Sequence, residues 1–248
     1  MFLNNLFLSF LLFAMFSSTN VMASVTLLGS RIIYPGTANL IDIQYKNDDD
    51  NPYVIQSWFD EGDIDSQPQK INNIPFIITP PVFRIQPKAG QVSRIIFNQQ
   101  TKLPQDRETL FWFNMLQIPP TNQISSSPKN AMTVMLRNRV KFFYRPAAIG
   151  KPKNILDGLK VHSLHDAQRG NGIEIINDQP WHASIVAISL SVAGNNYYCE
   201  PKMILPFSRQ VCWLRSSKKR LQGVSKVQID AINDQGARIS ESYPINSQ

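Results

Sequence analysis

The chain has 248 residues, of which 43% are hydrophobic and 17% charged, with 17 prolines and a formal net charge of +7. That length holds two sandwich-sized domains of roughly 100 residues, each with its own core. A basic balance can serve nucleic acid, a membrane surface or an acidic partner, but the one tight cationic run, Lys218-Lys219-Arg220, lacks interleaved aromatics and reads as a solvated turn; no nucleic acid is expected, and a partner carrying a carboxylate suits the charge better.

Residues 1–23, MFLNNLFLSFLLFAMFSSTNVMA, are an apolar segment, then polar residues, then Val21-Met22-Ala23, the small-residue pattern of a signal peptidase site. The segment has no Lys or Arg, which departs from the usual leader. Its apolar core is interrupted by Ser9 and is short for a membrane span of roughly 20 residues, so cleavage before Ser24 and no stable membrane insertion are expected. Next, SVTLLGSRIIYPGTANLIDIQYKN sets Arg31 in an apolar strand just ahead of the turn signal Tyr34-Pro35-Gly36. Turns are expected at Asp48-Asp49-Asp50-Asn51-Pro52 and at Gln99-Gln100-Thr101, and a polar loop from Glu61 to Lys70. Asp63 and Asp65 in that loop read as solvated residues, without the apolar surroundings that would raise a pKa for acid catalysis. The blocks TPPVFRIQPKAGQVSRIIF and RETLFWFNMLQIPP follow, and the residues between Ile118 and Ala131 read as a short loop.

From Asn130 to Ala148 the chain reads NAMTVMLRNRVKFFYRPAA, with Met132, Val134, Leu136, Val140 and Phe142 on one parity and Thr133, Arg137, Arg139 and Lys141 on the other. Period two means a pleated strand, here about twice the ordinary length of roughly 5–6 residues. Pro146, which cannot donate to a ladder, ends it. Two readings stand side by side: a core strand whose basic residues face water, or an edge strand whose unpaired backbone is a template for another chain.

Beyond Tyr144-Arg145-Pro146, the residues AAIGKPKN have the composition of a hinge. Short strands are then expected at IEIIN, ASIVAISLSVA, YYC, MILPF, VCWL, KVQIDAIND and RISESYPI, with no helical periodicity. The two cysteines, Cys199 and Cys212, are most simply a disulfide in an oxidising compartment, stabilising the second domain by about 3 kcal/mol. His162, His165 and His182 lack ligands spaced for zinc, so no metal is expected. There is no phosphate loop, GxSxG elbow or HExxH. A binding module that assists folding by lending a strand remains, against an enzyme or carbohydrate-binding protein on a sandwich scaffold.

Four blocks, those around Arg31, Thr79–Phe97, Arg107–Pro120 and Val140–Ala148, together resemble the periplasmic pilus (fimbrial) assembly chaperones of the chaperone–usher pathway, the PapD-like family. The resemblance implies an all-β fold of two immunoglobulin-like β-sandwich domains in an L- or boomerang-shaped arrangement, 24–146 and 147–248, without enzymatic activity or cofactor. It implies partners too: pilin subunits lacking a final strand, completed by β-strand addition, and an outer-membrane usher to which the periplasmic chaperone delivers them and where another subunit's N-terminal extension replaces the lent strand. The exposed strand would also offer self-association when unliganded. By match to the family motif, Met132, Val134 and Leu136 fill the subunit's groove, Arg31 and Lys141 grip its C-terminal carboxylate, and Glu108, Arg145 and Asp234 form an interdomain ionic cluster that sets orientation. Arg84 and Arg94 are expected to be structural. The short loop before the strand, with no bracketing cysteines, implies the short-loop subtype, whose pili are rod-like or tip-bearing.

Overall fold

The computed structural model describes residues 24–68, 74–98, 101–120, 133–192, 195–215 and 226–245. The expected leader at 1–23, Met132, most of the loop after Ile118, Gln99-Gln100 and the Lys218-Lys219-Arg220 run lie outside the described residues.

The first half of the chain forms nine strands: β1 (Val25–Leu27), β2 (Arg31–Pro35), β3 (Leu40–Asn47), β4 (Tyr53–Asp60), β5 (Phe76–Thr79), β6 (Val82–Ile85), β7 (Gly90–Phe97), β8 (Thr109–Ile118) and β9 (Leu136–Arg145). They make two facing sheets, ordered β1-β3-β7-β5 and β2-β9-β8-β4-β6. All neighbours are antiparallel except β2 and β9, which run parallel. Between the sheets lies an aromatic core: Phe76 and Phe59 meet the buried Phe142 nearly edge-on, with ring centroids 4.6 and 4.9 Å apart, the geometry favoured by ring quadrupoles. The turn at Tyr34-Pro35-Gly36 closes against the end of β9, where a Cβ on Gly36 would stand 3.0 Å from the Pro146 Cα. Only glycine lets the two backbones approach so closely.

A 3-10 turn at Ala147–Ile149 leads out of β9. Seven further strands follow: β10 (Leu159–Asp166), β11 (Gly170–Asn177), β12 (Ile185–Val192), β13 (Asn195–Cys199), β14 (Ser208–Trp213), β15 (Lys226–Ile232) and β16 (Arg238–Pro244). Their sheets are β10-β11-β14 and β13-β12-β15-β16, packed over a mainly aliphatic core that includes Ile173, Ile188 and Ile229. The Cys199–Cys212 disulfide, Cα–Cα 5.8 Å, ties β13 to β14, edge strands of opposite sheets. The fold is all-β with two domains, as the sequence led us to expect.

Two elements of the second domain depart from the sequence reading. MILPF is not a strand: Ile204 makes one isolated bridge to Ala183, and Phe207 has φ +51° right after Pro206, so the segment turns instead of extending. Conversely β10 was not anticipated, because its alternation of buried Leu159 and Val161 with exposed Lys160 and His162 fades after Ser163.

Candidate strand-lending edge and interdomain cleft

β9 carries the site. Its even-numbered side chains enter the first core at Tyr144 and Phe142, are half-buried at Val140, and leave it at Leu136, which is 49% exposed. Val134, just before the strand, is 63% exposed, and Met135 on the other parity is 52% exposed. One apolar row therefore starts in the core and runs out into solvent, so that both readings of the long strand hold for different parts of it. The backbone follows the same division. β8 pairs with β9 from Leu136 to Tyr144, but β2 covers the other edge only from Lys141 to Arg145. Among the described residues, nothing pairs with the outer edge of Leu136–Val140.

Where β2 begins, Arg31 and Lys141 are direct register partners on neighbouring strands. They share the face turned toward the second domain. An Arg31 terminal N–H donates to the Ile232 carbonyl at 2.9 Å, and the Lys141 ammonium donates to the buried Ser184 hydroxyl at 3.3 Å. The Arg31 Nε is buried with no hydrogen-bond partner. Buried donors nearly always find an acceptor, so this corner is short of an anionic or carbonyl oxygen. Burial, and then the adjacent Arg31 charge, push the Lys141 ammonium down to about 8. Burial also lowers Arg31, partly offset by Asp234 and Glu108. Among the described residues neither cation forms an ion pair. Two partly desolvated positive charges side by side favour the approach of an anion.

Behind them lies a cavity of about 230 Å³ lined in part by Arg31, Phe143, Arg145, Trp181 and His182. Arg145 clamps the two domains: its Nε donates to Glu108 at 2.7 Å and its terminal nitrogens to Asp234 at 2.6 and 2.9 Å. Glu108 uses its other oxygen to accept the His182 backbone N–H at 2.9 Å. The three residues assigned to the ionic cluster are thus brought together. A buried charge network of this kind contributes defined geometry more than net stability.

Arg137 and Arg139 do not face water, as the core-strand alternative has the basic residues do. Both fold back on the sheet. Arg139 pairs with the fully buried Asp60 of β4 and sits 4.1 Å over the Trp112 ring, while Arg137 donates to Asn114 and lies 5.0 Å over Trp58. The usable sequence signal is Asp60 itself, an acid closing the apolar pair Trp58-Phe59 at the end of YVIQSWFD. Ser184 was missed as well, since a serine beside a strand carries no such mark. Arg84 and Arg94 are exposed, the latter 3.7 Å from Asp42, a surface pair that adds little.

Comparison with known proteins agrees with this geometry. Residues 24–150 match the family model described as "Pili and flagellar-assembly chaperone, PapD N-terminal domain", and residues 160–243 match "Pili assembly chaperone PapD, C-terminal domain". The chain is 32% identical to chaperone protein HifB of Haemophilus influenzae over 234 residues, covering 94% of this chain and 92% of that protein. It is 32% identical to chaperone protein MrkB of Klebsiella pneumoniae over 213 residues, 86% and 87% of the two chains. The crystal structure of the YadV chaperone superimposes with a TM-score of 0.74 at 31% identity, covering 90% of this chain and all of that one.

Proposed function

The chain belongs to the PapD-like family of pilus-assembly chaperones, a non-enzymatic family, and from that premise we propose how it serves pilus subunits. The apolar row ahead of and within β9 completes a subunit that lacks a strand. Val134 and Leu136, with Met132 from outside the described residues, enter the subunit's groove, each large side chain gaining roughly 1.5–3 kcal/mol on burial. Arg31 and Lys141 hold the subunit's C-terminal carboxylate and so set the register of the new pairing. The observation that carries this reading is the continuity of one strand: the open edge of Leu136–Val140 runs directly into the cleft where Arg31 and Lys141 lie in register and the Arg31 Nε lacks an acceptor.

The Glu108–Arg145–Asp234 cluster keeps the two domains, which we divide at 146/147, at the angle that leaves this cleft open. Such a protein works in the periplasm, after removal of residues 1–23, and passes its subunit to an outer-membrane usher. Neither a carbohydrate site nor a hydrolytic centre is supported by the family, which argues against the sandwich-scaffold enzyme or lectin.

Val134→Glu tests the reading. A carboxylate forced into an apolar groove without a partner costs several kcal/mol, about 2 or more, so capture of a pilin subunit with its native C-terminus should fail. Because Val134 is exposed, the melting temperature of the free protein should not move. Retained capture rejects Val134 as a groove residue, and a collapsed melting temperature places it in the core.

A further inference from the structure

Among the described residues the outer half of β9 has no second neighbour, and of its side chains Val140 rests partly on the core while Leu136 stands clear of it, yet a strand offered to a partner must present a fixed face. A slip or roll by one residue would turn Leu136 and Val140 away and present Arg137 and Arg139 in their place. Something other than the core has to hold it. On the face opposite Leu136, the side chains of Arg137 and Arg139 are gripped by groups from β4, β8 and the loop after β4.

Asp60 is the centre of that grip. Its carboxylate, fully buried, accepts from the Gly62 N–H at 2.7 Å, the Asn114 amide at 2.7 Å, the Ser66 hydroxyl at 3.3 Å and the Arg139 Nε at 3.0 Å, with a second Arg139 nitrogen on its other oxygen. Burial alone would raise this carboxyl, but Arg139, Asn114 and Gly62 hold it below its ordinary value. Because Asn114 donates to Asp60, its carbonyl oxygen is directed at Arg137, whose Nε and terminal nitrogen reach it at 3.0 and 2.7 Å. Arg137 also donates to the Ile64 carbonyl at 2.7 Å and to Ser66 at 3.2 Å. The Trp58 and Trp112 rings flank the two guanidinium groups, and Trp58 is itself fixed by its indole N–H to Ser66 at 3.1 Å.

We propose that Asp60 is a positioning residue for strand lending: through the bidentate Arg139 pair, and through Arg137 both by a looser ion pair at 3.8 Å and by way of Asn114, it locks the odd face of β9 and thereby aims Leu136 and the residues before it at the partner. This rests on the strand-lending reading above. Apolar packing would stabilise the domain as well as a buried ion network does. The network adds direction, because a guanidinium held by several oxygens in fixed places cannot rotate with a rolling strand. Asp60 touches no subunit; it acts through the arginines.

The test uses the mature full-length protein with Asp60→Asn. Arg137→Met, which leaves the Asp60–Arg139 pair intact, decides the matter should Asp60→Asn fail to fold. Hydrogen exchange along β9 and capture of a pilin subunit are measured beside thermal melting. The expected result is exchange accelerated about tenfold or more at Leu136–Val140, no change at Phe142–Tyr144, and capture weakened by a similar factor, the signature of local opening. Exchange raised uniformly through the first domain would mean a general stabilising role and overturn the proposal, as would unaltered exchange or wild-type capture in both variants. Should the wild-type protein capture no pilin, the functional reading falls, while the exchange pattern still decides whether Asp60 fixes the strand.

Discussion

Leu136–Val140 and Lys141–Arg145 are two halves of one strand, with the same pleat and the same neighbour β8, yet they do opposite work. The inner half has β2 on its second edge, the first core on one face and the second domain on the other. Among the described residues the outer half has no second strand and touches the core only through Val140, and its arginines are held by the grip from β4 and β8. A strand becomes a wall or a template according to what flanks it. Composition does not decide, since both halves mix apolar and basic residues.

Truncation at matched positions gives the sharpest contrast. Phe142→Ala removes a fully buried ring that touches Phe59 and Phe76, and should cost about 3–5 kcal/mol of folding free energy. Leu136→Ala, on the same row but about half exposed, should change stability by about 0.5 kcal/mol or less. It should still weaken subunit capture, because that side chain is buried only in the complex. Chemical denaturation of both variants, with capture assayed on the folded one, checks the pair; equal losses of stability would erase the distinction between the halves.

A second contrast lies at the junction. Arg31→Ala with Lys141→Ala removes two adjoining, partly buried cations that form no ion pair among the described residues and are lowered chiefly by burial, so the free protein should melt at an unchanged or slightly higher temperature. Capture should fall by about 2–5 kcal/mol, the usual cost of leaving a desolvated charge without its partner. Calorimetry of the free variant together with a pull-down decides it. Normal pilin recovery would remove both residues from the anchor.

How much of this was legible in the sequence depended on whether the signal was local. Period two over Met132–Phe142 exposed the strand and its apolar row, and Pro146 marked its end, because alternation and punctuation are properties of adjacent residues. The pairing of Arg31 with Lys141 is parallel and joins positions far apart in the chain, so only likeness to a family could bring them together. The grip on Arg137 and Arg139 is not legible in the sequence, since an arginine on the polar parity of a strand ordinarily points to water. What covers it here comes from β4 and β8, and no local pattern encodes which tryptophan faces which strand. MILPF failed for the reverse reason: its apolar run satisfied the pattern while Pro206 and the left-handed backbone of Phe207 forbade the strand.

The smallest predicted effect, and the one that separates the halves by chemistry, is a pH dependence. The Lys141 ammonium titrates at about 8 in the free protein, against an ordinary 10.5. Between those values the folded protein binds fewer protons than the unfolded chain, so stability rises with pH across that window, and below it the full cost of burying the charge is present. Capture should run the other way. A bound carboxylate favours the charged ammonium, so affinity should be level below about pH 8 and fall above it, by at most about tenfold per pH unit. Lys141→Arg should flatten the profile, because a guanidinium keeps its proton throughout. Leu136→Ala should lower the whole curve without changing its shape, as the outer half contributes apolar contact that no proton controls. Capture measured from pH ~6.5 to ~9.5 checks both, and a flat wild-type profile would show that Lys141 does not meet the subunit's charge.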